Sequence, residues 1–565
     1  MCGIAGILNY NDAVRRKHVR QVLDVLYHRG PDDSGIYLNH SGNRENRTKH
    51  DYPFVGLGHR RLSIIDLSRG RQPITNEDKT IWIVFNGEIY NYQELKSELI
   101  RDGHRFYTNT DTEVIIHLYE KYGQKCTRYL RGMFAFAIWD DVKKCLMLAR
   151  DRIGKKPIYY YWDDCIFVFG SELKSILAYA PQKSQIDIVG LSHYIQFGYI
   201  PDPYTILGHV KKLPPAHSLI LKDRQLHSEK YWQIDLQVNE RPPGKGYVSE
   251  IEDKLKECVK IRLMSDVPLG AFLSGGIDSS LIVAMMAEMS GKKIQTFSIG
   301  FQDQKFNELP YAKLVSRKYK TDHYEMVVTP ESFELLERII AHFDEPFIDP
   351  SSIPTYFVSQ LASQSVKVVL TGDGGDELFG GYDTYDVCLN RNMFDVIPSL
   401  LKNPVIHRLR KIKRNIKGKN FLQNALLGLE ERFIDYTSHV TYYRYSEIFT
   451  PEIKTALGSY QARQDEIFKS LSNLSQLARL QHIDMETYLP GDILVKMDRM
   501  SMAHSIEARV PLLDQQLIEM VNAMPADFKI QHRKRKMVLK KIAQKYLPLE
   551  ILQRSKKGFA VPLNN

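Results

Sequence analysis

The sequence has no uninterrupted apolar run approaching the roughly 18 residues that a membrane-spanning helix needs, which sets aside a helical membrane protein. Its N-terminus lacks a basic segment followed by an apolar one, so a cleaved leader is not expected. Cysteine is scarce. The six in 565 residues (Cys2, Cys126, Cys145, Cys165, Cys258 and Cys388) form no CxxC pair and no zinc spacing, so a disulfide scaffold and a zinc ribbon are both excluded, and a reduced cytoplasmic setting is expected. Also missing are G-x-x-x-x-G-K-[ST] and G-x-G-x-x-G, which excludes a Walker lysine and a nicotinamide fingerprint. What is present suits a globular protein of several domains: 43% hydrophobic and 25% charged residues. The net charge of +10 owes much to two runs, Lys402 to Lys419 and His532 to Lys541. Such runs are usually solvated helix faces, so nucleic acid is not the expected partner.

The most reactive feature is the second residue. Removal of Met1 before a small side chain would leave Cys2 with a thiol and a free α-amine, a nucleophile carrying its own base. Around it, Ile4 to Leu8 reads as a buried strand and Arg20 to Tyr27 as a helix. Strands are expected over Phe54 to Arg61, Leu62 to Asp66 and Thr80 to Phe85, the last ending at Asn86-Gly87. An Asn side chain and a Gly N–H at a strand end can aim two donors at one oxygen, as an oxyanion hole requires. Asp111 precedes a helical pattern that stops at Gly123, and alone it reads as an N-cap. Strands dominate this half, so two packed sheets covered by helices are expected.

Five motifs in order, Cys2-Gly-Ile-Ala-Gly6, His28-Arg-Gly-Pro-Asp32, Arg60-Arg-Leu-Ser63, Asn86-Gly-Glu-Ile-Tyr-Asn91 and Thr110-Asp-Thr-Glu113, resemble the glutaminase domain of the N-terminal-nucleophile glutamine amidotransferases. The resemblance implies an αββα sandwich in which Cys2 attacks the glutamine amide while Asn86 and Gly87 hold the oxyanion. It also implies that Arg61 binds the substrate α-carboxylate and that Glu88 and Asp111 hold its amino end. Proline and glycine between residues 196 and 247 mark a join, placed near residue 210.

In the second half, Val248 to Met264 has helical spacing, and Pro268 to Leu273 gives a short strand. The turn Ser274-Gly275-Gly276-Ile-Asp278-Ser279-Ser280 follows, and then a helix. A strand, a Gly-rich turn and a helix N-terminus form an anion site. Buried strands at Ile294 to Ile299 and Val366 to Leu370 alternate with helical stretches, which predicts a doubly wound parallel sheet. The last strand delivers Thr371-Gly372-Asp373-Gly-Gly-Asp376-Glu377 beside the phosphate turn. A bridging Mg²⁺ reconciles acidic residues with phosphate, and Asp278 and Asp376 are the expected ligands.

The turn resembles the pyrophosphate loop of the N-type ATP pyrophosphatases. With the first half, Glu507-Ala-Arg-Val-Pro-Leu-Leu-Asp514 and Arg554-Ser-Lys-Lys-Gly-Phe559, nearly the whole chain resembles the glutamine-hydrolysing asparagine synthetase family. The resemblance implies domains at 1–210 and 211–565, ATP as a substrate with Mg²⁺, and activation of a carboxylate as its acyl-adenylate before ammonia displaces AMP. Leu273 and Ile299 would lie near adenine, Lys556 would neutralise the departing pyrophosphate, and Asp373 stands where relatives often carry a glutamate base. Partners would be small molecules, and a homodimer is compatible with the family. Asp373 is one methylene shorter than that glutamate, and Asp344 to Tyr356 lacks a Thr-Ile-Arg-Ala-Ser run. The second departure resembles a branch that amidates larger carboxylates such as uronic or peptide acids. Aspartate remains the first expectation.

Overall fold

The computed structural model describes residues 2–39, 53–181, 185–235, 246–329, 335–390, 402–409 in part, 418–440, 448–455 in part, 468, 471–531 and 533–554. Seventeen strands are present among them: β1 (Gly3–Asn9), β2 (Asp33–Leu38), β3 (Phe54–Arg61), β4 (Ile74–Thr75), β5 (Ile81–Ile89), β6 (Gly132–Asp140), β7 (Cys145–Arg150), β8 (Tyr159–Trp162), β9 (Ile166–Gly170), β10 (Val210–Lys212), β11 (His217–Lys222), β12 (Gln225–Lys230), β13 (Leu269–Phe272), β14 (Gln295–Phe301), β15 (Asp322–Val328), β16 (Val368–Leu370) and β17 (Glu507–Arg509).

The first twelve form two six-stranded sheets, ordered β10-β8-β9-β1-β3-β2 and β12-β11-β7-β6-β5-β4. Because side chains alternate along a strand, each sheet presents one face to the other and one to helices. Ile4, Leu8, Leu57, Val84, Trp139, Leu148 and Phe169 fill the layer between the sheets. Ala5, Ile7 and Val168 face the helix Arg16–Asp24, while Phe85, Phe134 and Met147 face the helices Tyr92–Arg101 and Glu113–Tyr122. This is the expected αββα sandwich. The helix predicted at Arg20 to Tyr27 begins earlier, at Arg16. Leu62 to Asp66 forms no strand. The hairpin β11–β12 completes the second sheet, pairing β11 with β7. A join near residue 210 would cut this sheet, so the first unit extends through Lys230.

The remaining five strands form one parallel sheet ordered β15-β14-β13-β16-β17. One face buries the helices Tyr247–Ile261 and Ile277–Met289 through residues such as Leu255, Val283 and Met286. The other buries Ser352–Ala362 and Leu494–Met502 through Tyr356, Phe357 and Met500. Strand order reverses between β13 and β16, and a ligand crevice opens at the carboxyl ends of strands at such a switch point. The two Gly-rich loops both leave from there.

Candidate active sites

The first site gathers on β1, β3 and β5. The Cys2 backbone nitrogen donates to Asn86 Oδ1 at 2.9 Å, and its Sγ lies 3.9 Å from the Leu62 carbonyl. Burial pushes the Cys2 thiol up, so attack requires a base close by. Asn86 uses its Oδ1 on Cys2, and its buried Nδ2 has no hydrogen-bond partner among the described residues. A buried donor left in that state costs stability and signals a ligand. Asn86 and Gly87 do not end the strand as the sequence suggested: β5 runs through them to Ile89, paired with Ala135 and Phe134 on β6. At Gly87 a Cβ would stand 2.0 Å from the Met133 carbonyl oxygen, so only glycine fits.

Arg61, Gly87, Glu88 and Asp111 line one small pocket with Cys2. Arg61 is anchored by the carbonyls of Ile65, Asp66 and Leu67 at 3.1, 2.7 and 3.3 Å. Asp111 does not cap the following helix; Thr112 occupies that position. Instead Asp111 Oδ2 accepts the Ile89 N–H at 2.8 Å, which ties the loop to β5. Burial pushes its carboxyl up to about 6 even though the Ile89 N–H favours the anion. Sequence reasoning missed Glu507, which enters this pocket from β17 in the other unit. Its neighbour Arg509 binds Glu507 Oε1 at 2.7 Å and Glu88 Oε2 at 3.2 Å. Nothing in linear spacing signals a contact across more than half the chain.

The second site is a cavity of about 690 Å³ at the β13–β16 switch point. Leu273, Ser274, Gly276, Asp278, Ser279, Ile299, Gly372, Asp373 and Asp376 line it together. Gly275 shapes the turn from behind: its φ is +74°, and a Cβ would lie 2.6 Å from Tyr311 Cβ. Ser280 is fully buried on the helix and does not line the cavity, which corrects its expected nucleotide contact. The turn is held by the Ser274 hydroxyl, which accepts the Gly276 N–H at 3.3 Å and lies 3.1 Å from the Ser279 hydroxyl.

Asp278 Oδ2 and Asp376 Oδ1 converge on Lys536 Nζ at 2.5 and 2.7 Å. The two carboxylates thus already share one cation, and hard oxygen donors beside a phosphate turn fit Mg²⁺. Lys536 and Lys540 belong to the basic run 532–541, read from sequence as a solvated face; both in fact line the cavity. Asp373 Oδ2 accepts the Thr371 hydroxyl at 2.7 Å, and burial raises its carboxyl. Lys496, which also lines the cavity, pairs with Asp349 at 2.6 Å. Burial opposes ionisation of Asp349, but Lys496 outweighs it and holds the carboxyl down at about 2. Lys556 lies outside the described residues, as does most of the run Lys402 to Lys419.

The two halves of the chain match two family descriptions, a glutamine amidotransferase domain over residues 1–232 and asparagine synthase over residues 250–565. The chain is 36% identical to asparagine synthetase [glutamine-hydrolyzing] 1 of Bacillus subtilis, over all of this chain and 88% of that protein. It is 38% identical to a putative asparagine synthetase [glutamine-hydrolyzing] 2 of Methanocaldococcus jannaschii, over 89% of this chain and 98% of that one. At 27% identity it also resembles the amidase chry2 of Gibberella zeae, over all of this chain and 89% of its length. A thiol pocket on a β sandwich, a phosphate turn at a parallel-sheet switch point and these matches agree: the chain belongs to the asparagine synthase family, its N-terminal half being a glutamine amidotransferase domain.

Proposed function

We propose that the protein is a glutamine-dependent asparagine synthetase acting in the reducing cytoplasm. The observation that carries this reading is the pairing of a buried Cys2 beside an unpartnered Asn86 Nδ2 with a nucleotide-sized cavity in the same chain.

Once Met1 is removed, the α-amine of Cys2 donates one hydrogen to Asn86 Oδ1 and keeps its lone pair for the thiol proton. The thiolate attacks the glutamine amide. The oxyanion of the tetrahedral adduct is met by Asn86 Nδ2 and the Gly87 N–H. Arg61 pairs with the substrate α-carboxylate, and Glu88 and Asp111 face its ammonium. The leaving amide takes a proton and departs as ammonia; water then releases glutamate from the thioester.

At the second site the Ser274–Ser279 turn and the helix N-terminus Ile277–Met289 cradle pyrophosphate, and Leu273 and Ile299 pack against adenine. The aspartate side-chain carboxylate attacks the α-phosphorus and pyrophosphate leaves. Asp278 and Asp376 would hold Mg²⁺, which supplies charge neutralisation on the phosphates. Lys496, Lys536 and Lys540 are lysines that this chain itself places on the cavity wall, and the family resemblance would add Lys556 as a further cation for the departing pyrophosphate. Ammonia attacks the acyl carbon, Asp373 takes the proton and AMP is released. Lone-pair donation survives only on unprotonated ammonia, so the amine must pass between the sites without meeting bulk water.

The test follows glutamate, AMP, pyrophosphate and asparagine together with glutamine, ATP, Mg²⁺ and aspartate supplied. Equal yields that depend on aspartate are expected. Cys2→Ala should retain synthesis from added ammonia and lose it from glutamine. Glutamate release without pyrophosphate would reject aspartate as the acceptor and point to a larger carboxylate.

A further inference from the structure

The glutaminase unit carries a side-chain cluster that the amide-transfer chemistry does not use. Glu77, on the turn between β4 and β5, His104, in the loop after the helix Tyr92–Arg101, and His117, on the helix Glu113–Tyr122, bring one ligand-type atom each within 4.8 Å of one another. Glu120 stands one helical turn beyond His117. Its Oε2 lies 2.7 Å from His117 Nδ1 and 3.2 Å from His104 Nδ1, so one carboxylate oxygen sits against two imidazole nitrogens.

The groups behind these atoms are arranged as supports. A metal-bound imidazole ordinarily turns its second nitrogen to a carboxylate, which fixes ring orientation. The buried His117 Nε2 makes no hydrogen bond among the described residues and faces Glu113 Oε1 at 3.8 Å. Glu113 is itself held by the Tyr107 and Thr108 N–H groups at 2.9 and 2.8 Å. Glu120 Oε1 accepts from Asn76 Nδ2 at 2.8 Å, and Glu77 Oε1 accepts the Arg105 N–H at 3.0 Å.

We propose that Glu77, His104, His117 and Glu120 form a binding site for a divalent first-row transition metal, zinc by preference. Two imidazoles with two carboxylates suit zinc better than the all-oxygen shells of calcium or magnesium. Bonds of about 2.0–2.1 Å require the ligand atoms to draw together, and Glu77 is exposed and able to swing inward. His117 is buried, so the ion would enter from the Glu77 and His104 side. The metal would clamp the loop between the two helices. That loop continues into Thr110, Asp111 and Thr112, which line the Cys2 pocket, so the clamp acts on glutamine recognition and takes no part in bond making.

The experiment uses the untagged full chain, dialysed against a chelator and titrated with zinc chloride, with bound zinc measured after gel filtration. One zinc per chain is expected in the native protein and in Cys2→Ala. His104→Ala, at a partly exposed position, should weaken binding by more than about tenfold, with Glu77→Gln intermediate. Cobalt in place of zinc should show visible d–d bands and no thiolate charge transfer. Zinc that is lost with Cys2→Ala, binding unchanged in His104→Ala, or no binding at micromolar zinc would each overturn the proposal. The zinc content does not depend on which carboxylate is amidated, so failure here is distinguishable from failure of the synthetase reading.

Discussion

Asn86 is the residue whose surroundings speak most directly of chemistry. Its Oδ1 is fixed by the Cys2 nitrogen and its Nδ2 is buried without a partner. Asn86→Ala should therefore lower the glutaminase kcat by about 10²–10³-fold, the usual cost of one oxyanion donor, with a much smaller change in KM and with ammonia-dependent synthesis unaltered; steady-state glutamate release measures it. Asp111 carries a pH signature. With its carboxyl raised to about 6, mainly by burial, it is an anion above that pH and neutral below. If Asp111 faces the glutamine ammonium as proposed, that ammonium loses a counter-charge as pH falls through about 6, so KM for glutamine should rise there. In Asp111→Asn the KM should be high and flat across the same interval, as a pH series of the glutaminase reaction will read.

At the scale of elements, the strand–turn–helix of residues 269–289 is where local conformation and binding are one requirement. Gly275 at φ +74° has Tyr311 Cβ 2.6 Å from where its own Cβ would be. Gly275→Ala should shift the turn off the phosphate position, raise KM for ATP at least about tenfold and destabilise the fold by about 1–3 kcal/mol. ATP–pyrophosphate exchange and thermal unfolding check the two parts, while glutaminase activity should persist. This turn was legible because its strand, glycines and helix are contiguous. The end of β5 was not. Asn86-Gly87 looks like a turn by composition, yet pairing with Ala135 and Phe134 carries the strand through it. Tertiary pairing overrides local turn preference there, and thereby buries the Asn86 amide beside Cys2.

At the scale of the molecule, the two units are bound by buried ion pairs. Arg29, wholly buried, bonds Asp498 at 2.8 and 3.0 Å, Glu172 at 2.8 Å and the Cys2 carbonyl at 3.2 Å. Removing one partner leaves buried charge unpaired, at a cost of about 3–5 kcal/mol. Arg29→Met should lower the unfolding temperature and loosen the passage of ammonia between sites, so glutamate release should exceed asparagine formation. Simultaneous assay of both products tests this, and a ratio that stays at unity would show the interface to be only structural. Among the described residues no helix is long and apolar enough to cross a membrane.

The sequence by itself determined the two units, the N-terminal Cys2 at the head of β1, the glycine-rich turn after β13 and most of the acidic loop after β16. These are short segments in which neighbouring residues share one local structure, so their periodicity and turn chemistry carry the information. Only the tertiary structure decided that Glu507 reaches the Cys2 pocket with Arg509 bridging it to Glu88, that Lys536 leaves its basic run to join Asp278 and Asp376, and that the sandwich continues through β12. Each depends on packing elements distant in sequence, where the favourable pairing of charges and strands is set by which faces are buried together.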